Sequence, residues 1–246
     1  METWLLLALG ACVAAFVQGL AGFGFGLVAM AFWSWTLPPA MAAPAVVFGS
    51  LIGQLLAVRS LRHGFDWRRL MPFLLGGLVG VPLGVVLLRY VDPAAFRLGV
   101  GVVLLVYCPA MLLAAELPRV TRGGRLADAA VGWLGGAMGG FGGLPGPAPT
   151  LWCVLRGWPR DQQRAVFQSF NLAMHGITLA GYAAAGLLTA QTVPVFSIVG
   201  AAVLVPALIG VHLYRRFSDA TFRRLVLALL TLSGVALAIA GVRGFW

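Results

Sequence analysis

The sequence contains no lysine, and charged residues of any kind are scarce. Of its 246 residues 10% are charged and 61% are hydrophobic, and the mean hydropathy is +0.95. Soluble domains of ordinary composition carry about 25% charged residues. The scarcity of charge therefore argues against a soluble domain and predicts a chain that lies mostly within a lipid bilayer.

Cysteine and histidine are also rare, with three residues of each. Cys12, Cys108 and Cys153 lie far apart and form no CxxC pair, so neither a redox dithiol nor a thiolate metal site is offered. The histidines show no spacing typical of metal ligands. An enzyme embedded in a membrane would need a nucleophile with its base, or metal ligands. We therefore expect a protein that is not an enzyme and that binds no cofactor.

Most of the sequence consists of long apolar runs. Runs without Asp, Glu or Arg cover residues 3–58, 70–88, 98–115, 165–214 and 225–242. A helix of about 20 apolar residues crosses a bilayer, so the two longest runs hold more than one crossing each. The sequence predicts an all-α polytopic membrane protein with about eight membrane segments. The N-terminal run lacks a basic region before it, so we expect it to be retained rather than cleaved as a signal peptide.

All 17 basic residues are arginine, and they give a net charge of +10. In a soluble protein that excess would suggest nucleic acid. These arginines lie between the apolar runs, where they anchor a membrane protein against anionic lipid. We therefore expect a lipid bilayer as the partner and no nucleic acid.

The arginines also indicate a topology. If residues 126–155 enter and leave on one side as two half-helices of roughly 14 residues each, only Arg89, Arg97 and Arg243 lie on the opposite face. The other arginines then share one face: Arg59, Arg62, Arg68, Arg69, Arg119, Arg122, Arg125, Arg156, Arg160, Arg164, Arg215, Arg216, Arg223 and Arg224. The positive-inside tendency makes that face cytoplasmic and leaves both termini outside. Two short, tilted spans in place of the hairpin would give the same faces, and that alternative stays open.

Three short matches in the same order indicate an internal repeat. They pair AGFG at 21–24 with GGFG at 139–142, AVVFGS at 45–50 with RAVFQS at 164–169, and GVVLLRYVDPAAFR at 84–97 with GVHLYRRFSDATFR at 210–223. We predict one membrane domain built from two repeats, residues 1–118 and 119–246. Each repeat is a broken, re-entrant helical hairpin followed by three transmembrane helices. An odd number of spans inverts the second repeat, a design associated with alternating access, in which one half rocks on the other.

Two glycine-rich stretches interrupt the apolar runs: GLAGFGFG at 19–26 and GGAMGGFGGLPGPAP at 135–149. Broken backbone at membrane depth is tolerated only where protein or a water-filled cavity surrounds it. The half-helix after each break directs free N–H groups and a positive dipole end toward the break, which favours a bound anion. We therefore expect donors near Gly24–Gly26 and Gly142–Gly146. The glycines of GGLVGVPLG at 76–84 are instead typical of close helix packing.

Polar side chains inside the apolar runs form the rest of the predicted site. Gln168, Asn171, His175 and Thr178 follow a 3–4–3 spacing that places them on one helix face. Their alternative role is hydrogen bonding between helices. The substrate-binding candidates are Gln18, Gly22, Gly24, Gly26, Ser50, Gln54, Gly140, Gly142, Gly143, Gly146, Thr150, Gln168, Asn171 and His175. His175 is the titrating group at membrane depth, so proton coupling and a structural role both stay open.

These residues resemble the TauE/SafE sulfite exporter family. The resemblance covers nearly the whole chain and rests on the duplicated halves, the glycine break in each, and the stretches FGSLIGQ (48–54) and FQSFNLAMH (167–175). The family's GTSL-like pattern is changed in both stretches, since the first lacks the threonine and the second reads Gln-Ser-Phe-Asn. The resemblance implies a carrier of small sulfur-containing or organic anions, such as sulfite, sulfonates and sulfoacetate, in the bacterial inner membrane.

The sequence thus predicts a secondary transporter, an exporter of a small organosulfur or related anion. The alternatives are a membrane carrier or channel for another solute, such as a carboxylate or a metal ion. A proton as coupling ion and a homodimer stay open.

Overall fold

A computed structural model describes residues 2–57, 66–114, 118–214 and 220–245, and the regular elements in these ranges are all helices. In chain order they are α1 (Glu2–Ala21), α2 (Phe25–Thr36), α3 (Pro39–Ala57), α4 (Trp67–Tyr90), α5 (Pro93–Leu112), α6 (Gly124–Gly142), α7 (Pro147–Leu155), α8 (Arg160–Ala184), α9 (Thr192–Tyr214) and α10 (Ala220–Arg243). The predicted arginines Arg59, Arg62, Arg215 and Arg216 lie outside the described residues.

Carboxylates fix the start of two of the long helices. The Asp66 carboxylate accepts a hydrogen bond from the Arg68 N–H at 2.9 Å and caps α4. The Asp92 carboxylate accepts from the N–H groups of Ala94 and Ala95 at 2.8 and 2.9 Å and caps α5. These three bonds satisfy donors that have no partner within the helix.

Within the described residues, six helices are long and apolar enough to cross a membrane: α1, α3, α4, α5, α9 and α10. The prediction of an all-helical polytopic membrane protein is therefore confirmed. Helices α6 and α8 have 19 and 25 residues, but glycine and polar side chains lower their hydropathy. Helices α2 and α7, with 12 and 9 residues, are too short to span.

Glycines bring α4 and α6 into backbone contact. A β-carbon at Gly76, Gly80 or Gly84 would meet a carbonyl oxygen of α6, and one at Gly136 or Gly140 would meet a carbonyl oxygen of α4. Only glycine permits this approach, because any side chain would separate the helices. The predicted packing role of the stretch 76–84 is thus observed.

Helices α1 and α9 approach each other in the same way. A β-carbon at Gly19 would lie 2.5 Å from the Ala207 carbonyl oxygen and 2.9 Å from the Gly210 α-carbon. The pairs α1–α9, α4–α6 and α5–α10 make the most extensive helix contacts in the described part of the chain. Each of these pairs joins a helix of residues 1–118 to a helix of residues 119–246.

Each broken segment is a hairpin with one long and one short limb. The Val120 N–H donates to the Leu155 carbonyl at 2.8 Å, so α7 ends where the chain enters α6. Helix α2 returns along α1, and a β-carbon at Gly10 would lie 2.6 Å from Trp33 Nε1. The prediction of two equal limbs of roughly 14 residues is wrong, because α6 runs for 19 residues and α7 for 9. Helix α6 ends late because the glycine that stops it is Gly143, in the left-handed region at φ 67°.

Several arginines gather at the end of the molecule where α4, α6 and α8 begin. The Arg69 guanidinium lies 4.9 Å from the centre of the Trp158 ring, and that of Arg156 lies 5.9 Å from the same ring. The Arg156 guanidinium also donates to the Thr121 carbonyl at 3.4 Å. We call this the arginine-rich end.

Candidate functional site

The two helix breaks meet inside the bundle. Gly22 and Gly24 in the first break have φ angles of 78° and 98°, and Gly143 in the second has φ 67°, all in the region that favours glycine. A β-carbon at Gly26 would lie 2.7 Å from the Gly143 carbonyl oxygen. The backbone of one break therefore lies against that of the other.

The first break offers a set of backbone donors. No side chain caps α2, and its first helical hydrogen bond runs from the Val28 N–H to the Gly24 carbonyl at 3.1 Å. The N–H groups of Phe25, Gly26 and Leu27 precede that bond and have no partner within the helix. With the helix dipole they form a positive end inside the protein.

The second break offers fewer donors than the sequence predicts. Pro145, Pro147 and Pro149 have no N–H, so Gly146 and Ala148 supply the N–H groups of residues 145–149. The N–H groups of Gly143 and Leu144 are bonded back to carbonyls at the end of α6, at 2.7 and 3.2 Å. Prolines suit the start of a helix, but they remove groups that would bind an anion.

A cavity of about 20 Å³ lies between the two breaks. It is lined by Gln18, Phe23, Gly24, Phe25, Gly26, Leu27, Ser50, Gln54, Gly143, Leu144, Pro145, Gly146, Pro147, Asn171 and His175. That volume holds about one water molecule. In this conformation the cavity is therefore smaller than an oxyanion of sulfur.

Polar side chains of three helices converge on this cavity. Gln18 comes from α1, Ser50 and Gln54 from α3, and Asn171 and His175 from α8, and each is at least 95% buried. The Gln18 side-chain amide donates to the Ser50 carbonyl at 3.1 Å. These side chains are held in a region where water is scarce, so an unmade hydrogen bond there is costly.

Several polar atoms in the cavity wall have no hydrogen-bond partner. They are Gln18 Oε1, Ser50 Oγ, Asn171 Oδ1 and His175 Nε2. Leaving a buried polar group unpaired costs about 1–3 kcal/mol, and such groups are rare in folded proteins. Their convergence on one cavity indicates a place that a polar occupant completes.

The tautomer of His175 follows from its contact with Asn171. Its Nδ1 lies 2.7 Å from the Asn171 carbonyl oxygen, which can only accept, so Nδ1 carries the proton and donates. Nε2 is then the nitrogen left at the cavity.

Nine of the predicted site residues line the cavity, and five do not. Gln168 and Gly22 lie outside the cavity, and the Gln168 amide donates to the Gly22 carbonyl at 3.3 Å. The Gly140 carbonyl accepts from the Tyr182 hydroxyl at 2.8 Å. Gly142 is the last residue of α6, and Thr150 is buried within α7.

The apolar part of the lining was not predicted as part of the site. Phe23, Phe25, Leu27, Leu144, Pro145 and Pro147 all belong to the breaks or to the first turn after them. Their position next to the glycines of the breaks is the feature of the sequence that could have identified them.

Among the described residues no cluster of three or more His, Cys, Asp or Glu could hold a metal ion.

A bundle of membrane-crossing helices around an interrupted, polar centre defines the class of polytopic membrane transporters. The family described as sulfite exporter TauE/SafE matches residues 6–237, and the chain belongs to this family. Its members are transporters and not enzymes, so this chain is not an enzyme. The chain is 28% identical over 246 residues to a protein of Cupriavidus necator named probable sulfite/organosulfonate exporter TauE, covering 96% of this chain and 95% of that protein. No solved structure matches the chain.

Proposed function

We propose that this transporter exports sulfite or a small organosulfonate across the bacterial inner membrane by alternating access. The supporting observation is the cavity between the two breaks, where unpaired polar atoms and the N-terminus of α2 converge. The substrate class comes from the family and from the name of the Cupriavidus relative.

The chemistry of the cavity suits an anion. The N–H groups of Phe25, Gly26 and Leu27 would bind its oxygens, and the amides of Gln18 and Asn171 can turn their NH₂ groups toward it. No Asp or Glu is among the lining residues, so nothing there repels negative charge. An anion of several atoms needs a larger cavity than about 20 Å³, so binding must accompany separation of the breaks.

The helix order supports two inverted repeats, α1–α5 and α6–α10. Each set has a long helix, a break, a short helix and three long helices. Helix α8 begins at the arginine-rich end, and α1 ends beside its third turn, where Gln168 donates to the Gly22 carbonyl, so α1 runs toward that end. Helix α6 begins at the arginine-rich end and runs away from it. The first helices of the two sets therefore run in opposite directions, which is the arrangement used by alternating-access carriers.

His175 is the group we assign to proton coupling. Its Nδ1–H is bonded to the Asn171 carbonyl, so Nε2 is the atom able to take a proton from the cavity or give one to it. A proton taken up with an anion would lower the cost of moving negative charge through the membrane.

Flux through purified protein in liposomes tests the function. The double substitution Gln18→Ala and Asn171→Ala removes two amides at the cavity, and we expect it to abolish sulfite or sulfoacetate flux. Ser169→Ala is the matched control on α8, the helix of Asn171. Ser169 does not line the cavity, so this variant should transport normally.

Two outcomes would contradict the proposal. Unchanged flux in the double variant would remove these side chains from the mechanism. Wild-type protein that moves a carboxylate or a metal ion, but no sulfur oxyanion, would give the carrier a different substrate class.

A further inference from the structure

Arg164 lies on the same face of α8 as the polar residues of the site. Positions 164, 168, 171 and 175 follow a 4–3–4 spacing, so Arg164 precedes Gln168 by one helical turn, about 6 Å along the axis. It lies in the second turn of a helix that begins at the arginine-rich end. The polar stripe thus starts with a positive charge.

The Arg164 side chain lies at the first break. A β-carbon at Gly22 would be 3.3 Å from Arg164 Nη2 and 3.4 Å from its Nε, and it would also collide with the Gln168 amide. Gln168 and Arg164 therefore both contact the turn at Gly22. The guanidinium is half-buried, in contrast to the exposed arginines Arg122 and Arg125.

An aromatic side chain next to the turn that this guanidinium contacts reaches the cavity. Phe23 follows Gly22 in the chain and lines the cavity. Its ring packs edge-on against Phe167 of α8 and Tyr107 of α5, with ring centres 5.7 and 6.2 Å away. Arg164 and the cavity are therefore connected through consecutive residues of the first break, Gly22 and Phe23.

The position equivalent to Arg164 in the other half carries no charge. The repeat match of AVVFGS with RAVFQS aligns Ala45 of α3 with Arg164, and Gly49 with Gln168. Ala45 is fully buried and apolar. The two related helices therefore differ in charge at this position.

We infer that Arg164 is the anion-recruiting residue of the pathway and that it acts at the arginine-rich end only. This inference rests on the proposed function. The guanidinium attracts an oxyanion from the adjacent aqueous side and donates a charge-assisted hydrogen bond to it, before the anion passes Phe23 to the donors of α2. The solutes recognised are small anions that carry a sulfite or sulfonate group.

Flux from each side of oriented proteoliposomes, measured as KM and kcat, tests this inference. Arg164→Gln should raise KM about tenfold for sulfite or sulfoacetate presented at the arginine-rich end, the loss expected for one charge-assisted hydrogen bond. KM at the opposite end should not change. Arg164→Lys keeps the charge, so it should keep most of the affinity and the rise of KM with ionic strength. Arg125→Gln, an exposed arginine at the same end, is the control and should behave as wild type.

Each other outcome overturns the inference. Arg164→Gln with a wild-type KM and salt dependence, in a protein that Asn171→Ala inactivates, would leave the proposed function standing and remove Arg164 from it. An equal rise of KM at both ends would contradict the one-sided role, and a lysine variant as weak as the glutamine variant would contradict a role through charge. Wild-type protein that moves no sulfur oxyanion would overturn both proposals.

Discussion

Gly26 shows why single residues decide whether this site can form. Its α-carbon lies against the Gly143 carbonyl and the Leu144 side chain of the opposite break. The contact brings the N–H groups of α2 to the second break, and a methyl group is enough to prevent it.

Gly26→Ala should therefore abolish transport and lower stability by about 1–3 kcal/mol, the usual cost of overpacking. The new β-carbon would lie 2.7 Å from the Gly143 oxygen and 2.8 Å from Leu144 Cδ2. Gly176→Ala is the control, because no atom lies within 4 Å of a β-carbon there. Thermal unfolding in detergent and liposome flux measure the two effects. Normal flux in Gly26→Ala would contradict the contact between the breaks.

His175→Gln should uncouple transport from protons. Glutamine keeps a polar side chain in the cavity but cannot take up a proton, so an imposed pH gradient should no longer drive accumulation, while exchange of anion for anion persists. Anion flux into liposomes, measured with and without the pH gradient, tests this loss of coupling. A variant that still responds to the gradient would assign coupling to another group.

At this scale the sequence predicts the polar lining well. Gln18, Ser50 and Asn171 stand out because a polar side chain inside an apolar run requires a partner. Phe23 and Leu144 could not be singled out, because their contribution depends on which apolar side chains meet at the breaks.

At the scale of helices, the glycine pair α4–α6 fixes the position of the second break. Gly80 on α4 lies against the Trp133 carbonyl, and Gly140 on α6 lies against the Val81 carbonyl. Since α6 ends at the break, any separation of these helices would displace Gly143 as well.

Gly80→Val should destabilise the protein by about 1–3 kcal/mol, since its β-carbon would collide with backbone that cannot rotate away. Val79→Ala on the neighbouring, 68% exposed position should stay within about 0.5 kcal/mol of wild type. The melting temperature in detergent distinguishes the two variants. Equal melting temperatures would contradict backbone packing at Gly80.

The sequence predicts that the membrane segments at 19–26 and 135–149 are interrupted, because clustered glycine and proline at membrane depth break a helix. It does not predict the unequal limbs. A run such as GGAMGGFGG is rich in glycine throughout, and only the tertiary contacts of α6 with α4 keep most of it helical.

At the scale of the whole molecule, the closest packing joins the two sequence halves. Helix α1 packs on α9, and α6 packs on α4, each through paired glycines. Two halves that rock as rigid bodies would have to break these contacts, so the moving units are better assigned as exchanged sets, one containing α1 with α9 and the other α4 with α6. The repeat matches in the sequence indicate duplication but not this exchange, because they do not show which helix packs against which.

Crosslinking tests the exchanged sets. The Cys12 thiol of α1 lies 3.5 Å from the Ala202 carbonyl of α9, so the two helices are in contact there, and Ala202→Cys introduces a second thiol on the contacting turn. We expect the two to crosslink on oxidation and transport to persist, because α1 and α9 move together. Ala202→Cys kept reduced is the control. A crosslink that stops flux would show that these helices separate during the cycle.

The prolines that open α7 have a consequence for where cargo is held. The second break keeps two N–H groups between residues 145 and 149, those of Gly146 and Ala148, against three at the start of α2. When the two breaks part, the solute would stay with α2, so substitutions at residues 25–27 should change how tightly the centre holds it and substitutions at residues 145–149 should change how the site opens.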